Sequence, residues 1–344
     1  MNLINRRFLS RIAGVAMTAT LAAGLASCDS LINDHLPECN EGVELRFIYD
    51  YNMEYANAFY SQVDCLTLHV YDSDGRYVTT RTETVSERLA DENYRMTVDL
   101  PAGRYHLVAY GGMECGASTF DYVSKPDAGD TLDRLSVTLS DAVKQSATGV
   151  ELHPLFFGEL DIEVDPQTLE YKTYTLPMMK DTNNLRIVLQ QLSGAPLDGN
   201  DFSYTITADN TLLDGRNNVV ATSTPFDYTH WSRGTATAGT LEGGADLSVA
   251  YGEISFNRLV ANSTPTLRIH SRTAGRDIVN LPLIDYLLLT KSDGSRPMSD
   301  QEYLDRESRW SMIFFLDGNQ RWVQLHLVVN NWVVRINNPE LGLN

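Results

Sequence analysis

Val43-Glu44-Leu45-Arg46-Phe47-Ile48-Tyr49 alternates without a break: Val43, Leu45, Phe47 and Tyr49 take one face, and Glu44, Arg46 and Ile48 take the other. A period of two puts alternate side chains on opposite faces of an extended chain, so the stretch reads as a strand with one face against a core. The pattern returns on its C-terminal side. Leu66, Leu68 and Val70 form a second strand, stopped by Asp72-Ser73-Asp74-Gly75, and residues 76–80 start its return partner in a hairpin. Residues 94–100 form a further strand that turns at Pro101-Ala102-Gly103 and returns through Tyr105, Leu107 and Ala109. Proline presets φ and glycine tolerates positive φ, which suits both to a reversal. Residues 52–62 break the alternation and suit a loop or a short helical turn.

A later strand is expected over 131–140. The second half repeats the theme over 160–164, 185–192, 202–208, 252–259, 266–271 and 322–335. Short strands joined by turns, with almost no long helix, specify an all-β chain built as antiparallel sandwiches. Val150-Glu151-Leu152-His153-Pro154-Leu155-Phe156-Phe157-Gly158 reads as the seam, giving an N-terminal sandwich over 43–155 and a C-terminal one over 156–344. One helix is expected in the second, because Ser299 followed three residues later by Glu302 has the spacing of a capping box. The apolar block 281–289 contains Pro282, is too short to span a bilayer, and reads as buried strand or linker.

The N-terminus carries Arg6, Arg7 and Arg11 ahead of an apolar run over 12–25, the layout of a cleaved export signal. The run ends in Leu25-Ala26-Ser27-Cys28, which resembles the lipobox of bacterial lipoproteins. That resemblance implies removal of residues 1–27, lipid on the Cys28 sulfur and a lipidated leader over 28–42. The chain carries 27 Lys+Arg against 45 Asp+Glu, a net charge of −18. Such a surface repels phosphate backbones, so nucleic acid is excluded as a partner. With Cys28 modified, Cys39, Cys65 and Cys115 remain in an oxidising compartment, and an odd count leaves one unpaired. Cys39 precedes the first strand and Cys115 follows a later one, which makes Cys39–Cys115 a candidate bridge.

No catalytic motif is present: there is no GxSxG, HExxH, GxxxxGK[ST] or dinucleotide glycine fingerprint. His69, His106 and His326 are scattered singly, and a lone strand histidine is ordinarily a packing or surface residue, so no metal or other cofactor is expected. Asp72-Ser73-Asp74-Gly75 opens like a calcium loop but lacks its later ligands, and a hairpin turn accounts for it. Asp300 and Glu302 resemble an acid/base pair no more than chance allows on so acidic a chain. Tyr49, Tyr51, Tyr55, Phe59 and Tyr60 would either form a ligand platform or close the end of a core, and the second reading is favoured.

Taken together, 42–53, Gln62-Val63-Asp64, Val70-Tyr71-Asp72, 99–105, 109–112, 281–287, 301–307, Phe314-Phe315-Leu316-Asp317 and Asn330-Asn331-Trp332-Val333-Val334 resemble the FimB/Mfa-type fimbrial anchor subunits of Bacteroidales. The resemblance runs in order over nearly the whole mature chain. It implies two tandem transthyretin-like sandwiches and a lipid tether at the outer membrane, on the cell surface. It also implies a place at the base of a strand-exchanged pilus, with stalk subunits as partners and a surface receptor reached through the fibre. Stalk subunits of that system lose a leader after an arginine. Here no Arg or Lys lies between Cys28 and Leu45, and the first basic residue, Arg46, falls inside the first strand, so an anchor that keeps its tether is expected. Val323, Leu325, Leu327, Val329 and Trp332 are the candidate contacts with a neighbouring subunit, since a terminal strand is easily set beside a partner. The rival reading is a surface binding module for glycan or host protein.

Overall fold

A computed structural model describes residues 42–166, 171–240, 244, 246–291, 297–329 and 332–338. The first sandwich opens with β1 (Val43–Ile48), β2 (Leu66–Asp72), β3 (Tyr77–Glu83), β4 (Met96–Val98) and β5 (Gly103–Gly111). The chain then leaves through β6 (Phe120–Tyr122) and β7 (Ser136–Leu139), and returns as β8 (Phe156–Val164), β9 (Lys172–Pro177) and β10 (Met179–Lys180). A three-stranded sheet, ordered β4-β1-β9, faces a five-stranded one, ordered β10-β8-β5-β2-β3. Val43, Leu45, Phe47, Leu66, Leu68, Val70, Leu107 and Phe156 fill the space between them. Fully burying Val43, Leu45 and Phe47 contributes about 1.5–3 kcal/mol each.

The second sandwich comprises β11 (Asn183–Gln191), β12 (Phe202–Ala208), β13 (Leu212–Asp214), β14 (Val219–Val220), β15 (Phe226–Thr229), β16 (Ser232–Thr240), β17 (Asp246–Phe256), β18 (Thr266–Ser271), β19 (Arg276–Pro282), β20 (Arg309–Leu316), β21 (Trp322–Val329) and β22 (Trp332–Asn337). A six-stranded sheet, β16-β17-β11-β20-β21-β22, faces the four-stranded β15-β12-β18-β19. A third sheet, β14-β13-β7-β6, combines strands from both halves of the chain.

The domain boundary differs from the sequence reading. The expected seam at 155/156 falls inside the first sandwich, because β8 pairs with β5 over nine positions, from Gly103↔Val164 to Gly111↔Phe156. In addition, β9 runs parallel to β1, from Val43↔Lys172 to Ile48↔Pro177. The chain crosses to the second sandwich after β10, and 120–139 is lent to it through β7↔β13 pairing. The five-stranded sheet is therefore covered on both faces. Leu66 to Tyr71 are all buried, with Leu66, Leu68 and Val70 toward the first core and Tyr71 in the larger one.

The helix beginning at the Ser299 capping site forms over Asp300–Arg306, with Ser299 Oγ accepting from the Glu302 N–H at 3.0 Å. The block expected as strand or linker ends β19 at Pro282 and becomes a second short helix, Leu283–Leu288. Proline at the N-terminal boundary has no N–H to lose there, and Leu283, Ile284 and Leu287 are buried.

Candidate functional site

The N-terminal end of the described chain is built around β1. Its two edges are both occupied, by β4 (Val43↔Val98 to Leu45↔Met96) and by β9, while Arg46 projects to solvent from mid-strand. Cys28 and Cys39 lie outside the described residues.

At the opposite end of the chain, β21 lies between β20 and β22, so neither of its edges is open. Leu325 and Leu327 are buried in the protein's own core, with Val323 partly buried. In this chain the alternating face closes the second sandwich. Val329 and Trp332 are opposed in the β21–β22 register. Among the described residues the outer edge of this sheet belongs to β22, where Val333 is 48% exposed and Arg335 faces solvent.

The two halves are braced at the 50–58 loop. Tyr49 and Phe59 are buried as core-closing residues, whereas Tyr51 and Tyr55 hold the Arg306 guanidinium at 4.0 and 4.8 Å from their ring centres. Arg306 also pairs with Glu302 at 2.8 Å, and Asp300 pairs with Lys291 at 3.0 Å, so both acids serve the helix rather than any chemistry. Deeper in, Arg258 grips Asp305 through two 2.8 Å hydrogen bonds. Asn217 donates to Asp181 at 2.8 Å. Burial pushes the Asp181 carboxyl up to about 7, partly offset by the Arg258 charge.

The sequence-selected histidines do not converge. His69 sits between Thr80 Oγ1 (2.8 Å) and Tyr122 Oη (2.9 Å), and burial lowers its pKa to about 4, which keeps it neutral. His106 bonds Asp161 at 2.8 Å, and His326 packs against Phe315. The acidic turn is equally committed: Asp72 Oδ1 accepts from the Asp74 and Arg76 N–H groups at 2.9 Å each, and Asp74 pairs with Arg76.

The cysteine pairing also differs from expectation. Cys115 is bonded to Cys65, not Cys39, with Cα atoms 6.0 Å apart. Gly112 makes this possible: its φ of +86° turns the chain after β5, and a Cβ there would lie 1.9 Å from the Pro154 carbonyl oxygen. That approach sets His153 beside the bridge, with Nε2 3.0 Å from Asp64 Oδ1 and 3.7 Å from Cys115 Sγ. Nothing in local sequence pattern links these four residues. Two of the grooves among the described residues are large and open. One, of about 990 Å³, runs past Met113, Cys115, Tyr122 and Lys125. The other, of about 1310 Å³, is lined by Tyr105, His106, Glu159, Asp161, Lys172 and Tyr174.

Residues 36–338 match the family of fimbrillin-A associated anchor proteins Mfa1 and Mfa2. Among solved structures, a candidate adhesin from Bacteroides thetaiotaomicron is 46% identical, with a TM-score of 0.81 over 88% of this chain and 100% of that one. A candidate polysaccharide-binding protein from the same organism is 29% identical, with a TM-score of 0.73 over 87% of this chain and 99% of that one. The fimbrial anchor protein Mfa2 from Porphyromonas gingivalis shares the fold at 15% identity, with a TM-score of 0.63 over 86% of this chain and 99% of that one. No curated protein matches the chain. The extent of the family match and the full coverage of a 46% identical relative place the chain in one group: it belongs to the fimbrillin-A associated anchor proteins.

Proposed function

We propose that this protein is a lipid-tethered anchor at the base of a fimbria, carried on Cys28 at the outer membrane and exposed at the cell surface, where it holds stalk subunits and limits fibre length. The family is one of fimbrial anchor proteins, not enzymes. Among the described residues no helix is long and apolar enough to cross a membrane.

The observation that carries this reading is the state of β1. The segment from Cys28 to Leu45 has no Arg or Lys, and Arg46, the first basic residue, lies inside β1, held in the ladder to β9 at Arg46↔Thr175 and immediately after the β4 ladder ends at Leu45. An arginine-specific protease needs an extended, accessible backbone, so the tether survives conditions that would strip a stalk subunit of its leader. Deleting the gene in its host and following the fimbriae tests the proposal. Shedding of long fimbriae into the medium, reproduced by Cys28→Ala, is the expected result; fimbriae that stay attached and unchanged would sink it.

A second reading, a surface module for glycan, is favoured by the description of the 29% identical neighbour and by the groove holding Tyr105 and Tyr174 among charged hydrogen-bonding groups. Glycan retention lost on Tyr174→Ala, with fibre attachment intact, would select it.

A further inference from the structure

Asp64, Cys65, Cys115 and His153 offer four ligand atoms that all lie within 4.8 Å of one another. We infer that, with the Cys65–Cys115 bond reduced, these four side chains form a tetrahedral site for a thiophilic divalent cation such as Zn²⁺.

The donor set is two sulfurs, one imidazole nitrogen and one carboxylate oxygen, a combination that suits zinc. With metal–sulfur bonds of about 2.3 Å and metal–nitrogen or –oxygen bonds of about 2.0–2.1 Å, tetrahedral ligand atoms stand roughly 3.3–3.8 Å apart. His153 Nε2 already lies 3.7 Å from Cys115 Sγ and 3.0 Å from Asp64 Oδ1. The two sulfurs must part, which rotation about their own side-chain bonds accomplishes from Cα atoms 6.0 Å apart.

The backbone holding the ligands is fixed. The Gly112 N–H donates to the Cys65 carbonyl at 3.0 Å, and the His153 N–H donates to Thr119 Oγ1 at 3.0 Å. Cys65 is buried, Cys115 and His153 are half-buried, and Asp64 is exposed, so the site is dry on one side and open on the other. Cys115 also lines the 990 Å³ groove, which supplies an entry path.

The chemistry balances in two steps. A dithiol delivers two electrons and its two S–H protons to the S–S bond and closes to its own disulfide; a phosphine delivers two electrons and becomes the phosphine oxide, with one water giving the oxide its oxygen and the thiols their two protons. The cation then displaces both thiol protons to solvent and is held by two thiolates, neutral imidazole and carboxylate. In either state the same two residues stay cross-linked, by sulfur or through metal.

The test uses the full mature chain with Co²⁺ as a spectroscopic stand-in for Zn²⁺. After anaerobic reduction with a phosphine and its removal, one equivalent of Co²⁺ should give thiolate charge-transfer and intense tetrahedral ligand-field bands, bleached by Zn²⁺. The oxidised protein should give neither; Cys65→Ser, which leaves the Cys115 thiolate, should roughly halve the charge-transfer intensity, and Cys65→Ser with Cys115→Ser should abolish it despite the remaining Cys39. His153→Ala, which leaves the disulfide free to form, should weaken affinity more than roughly tenfold, the least that losing even a group hydrogen-bonded to a ligand costs. Equal metal binding by oxidised protein, bands surviving the Cys65→Ser, Cys115→Ser double substitution, or affinity indifferent to His153→Ala would each overturn the inference.

Discussion

The guanidinium of Arg306 lies over the ring of Tyr51, 4.0 Å from its centre, and so joins a helix of the second sandwich to a loop of the first. Tyr55 covers it from another side at 4.8 Å, and Arg306 Nη1 donates to the Asn52 carbonyl at 3.4 Å. Half-buried and desolvated, such a cation–π pair contributes about 1–2 kcal/mol. Arg306→Ala should lower stability by about 1–3 kcal/mol in denaturant titration and speed amide exchange over 50–58. Arg306→Lys should recover only part of this, because an ammonium lacks the planar face and the fork. A wild-type exchange pattern in Arg306→Ala would show the brace to be idle.

Asp181 sets a pH dependence. Its carboxyl is raised from 3.8 to about 7 chiefly by burial, and its Oδ2 has no hydrogen-bond partner among the described residues. The folded protein therefore binds this proton more tightly than the unfolded chain, and between about pH 4 and 7 the group makes stability fall as pH rises. Asp181→Asn keeps the shape and removes the charge. It should raise stability at pH 8 by about 1–3 kcal/mol, gain little below pH 4, and flatten the slope between. Parallel unfolding curves for variant and wild type at every pH would contradict this.

The Cys65–Cys115 bridge closes a loop with a sequence separation of 50. Loop-closure entropy for that length amounts to about 4 kcal/mol at 25 °C, and measured bridges usually contribute about 2–4. Cys65→Ser, or metal-free reduction of the wild type, should lower the urea midpoint by a corresponding amount. Cys39→Ser should leave it unchanged. A loss on Cys39→Ser as large as on Cys65→Ser would return the pairing to the alternative first expected.

Arg46 is exposed but sits mid-strand in β1, paired to Thr175 of β9 and adjoining the end of the β4 ladder at Leu45. Folded protein should resist an arginine-specific protease at this bond and be cut there only under conditions that unfold the first sandwich. Terminal sequencing of the digest reads this directly; rapid native cleavage after Arg46 would remove the ground for a retained tether.

Much of this architecture is legible one strand at a time. β1, the hairpin at Asp72–Gly75 and the Ser299 cap follow from alternation, turn chemistry and capping, all local rules. What was missed depends on long-range pairing. β2 is buried on both faces, so His69 and Tyr71 look like outward residues until β6 and β7 cover them. β8 and β9 carry ordinary strand patterns, and nothing in them reports that β1, some 130 residues earlier, is a neighbour. The Leu283–Leu288 helix escaped because its six residues, apolar but for Asp285 and Tyr286, are too few to show a helical period, and even its exposed C-terminal neighbour is Leu289. The alternation of Leu325 and Leu327 was read correctly as strand, but their partner is the protein's own core. For the same reason, truncation after Gln320 should open the second sandwich rather than only expose a binding edge.

The parallel register of β1 with β9 has a mechanical meaning. A load entering along the chain at Gly42 pulls on β1 lengthwise, while its ladder to β9, six residues long, runs across that direction. Under the tether proposed above, the rungs would slide and rupture together instead of peeling open one at a time, so β1 would meet drag on a filament in shear.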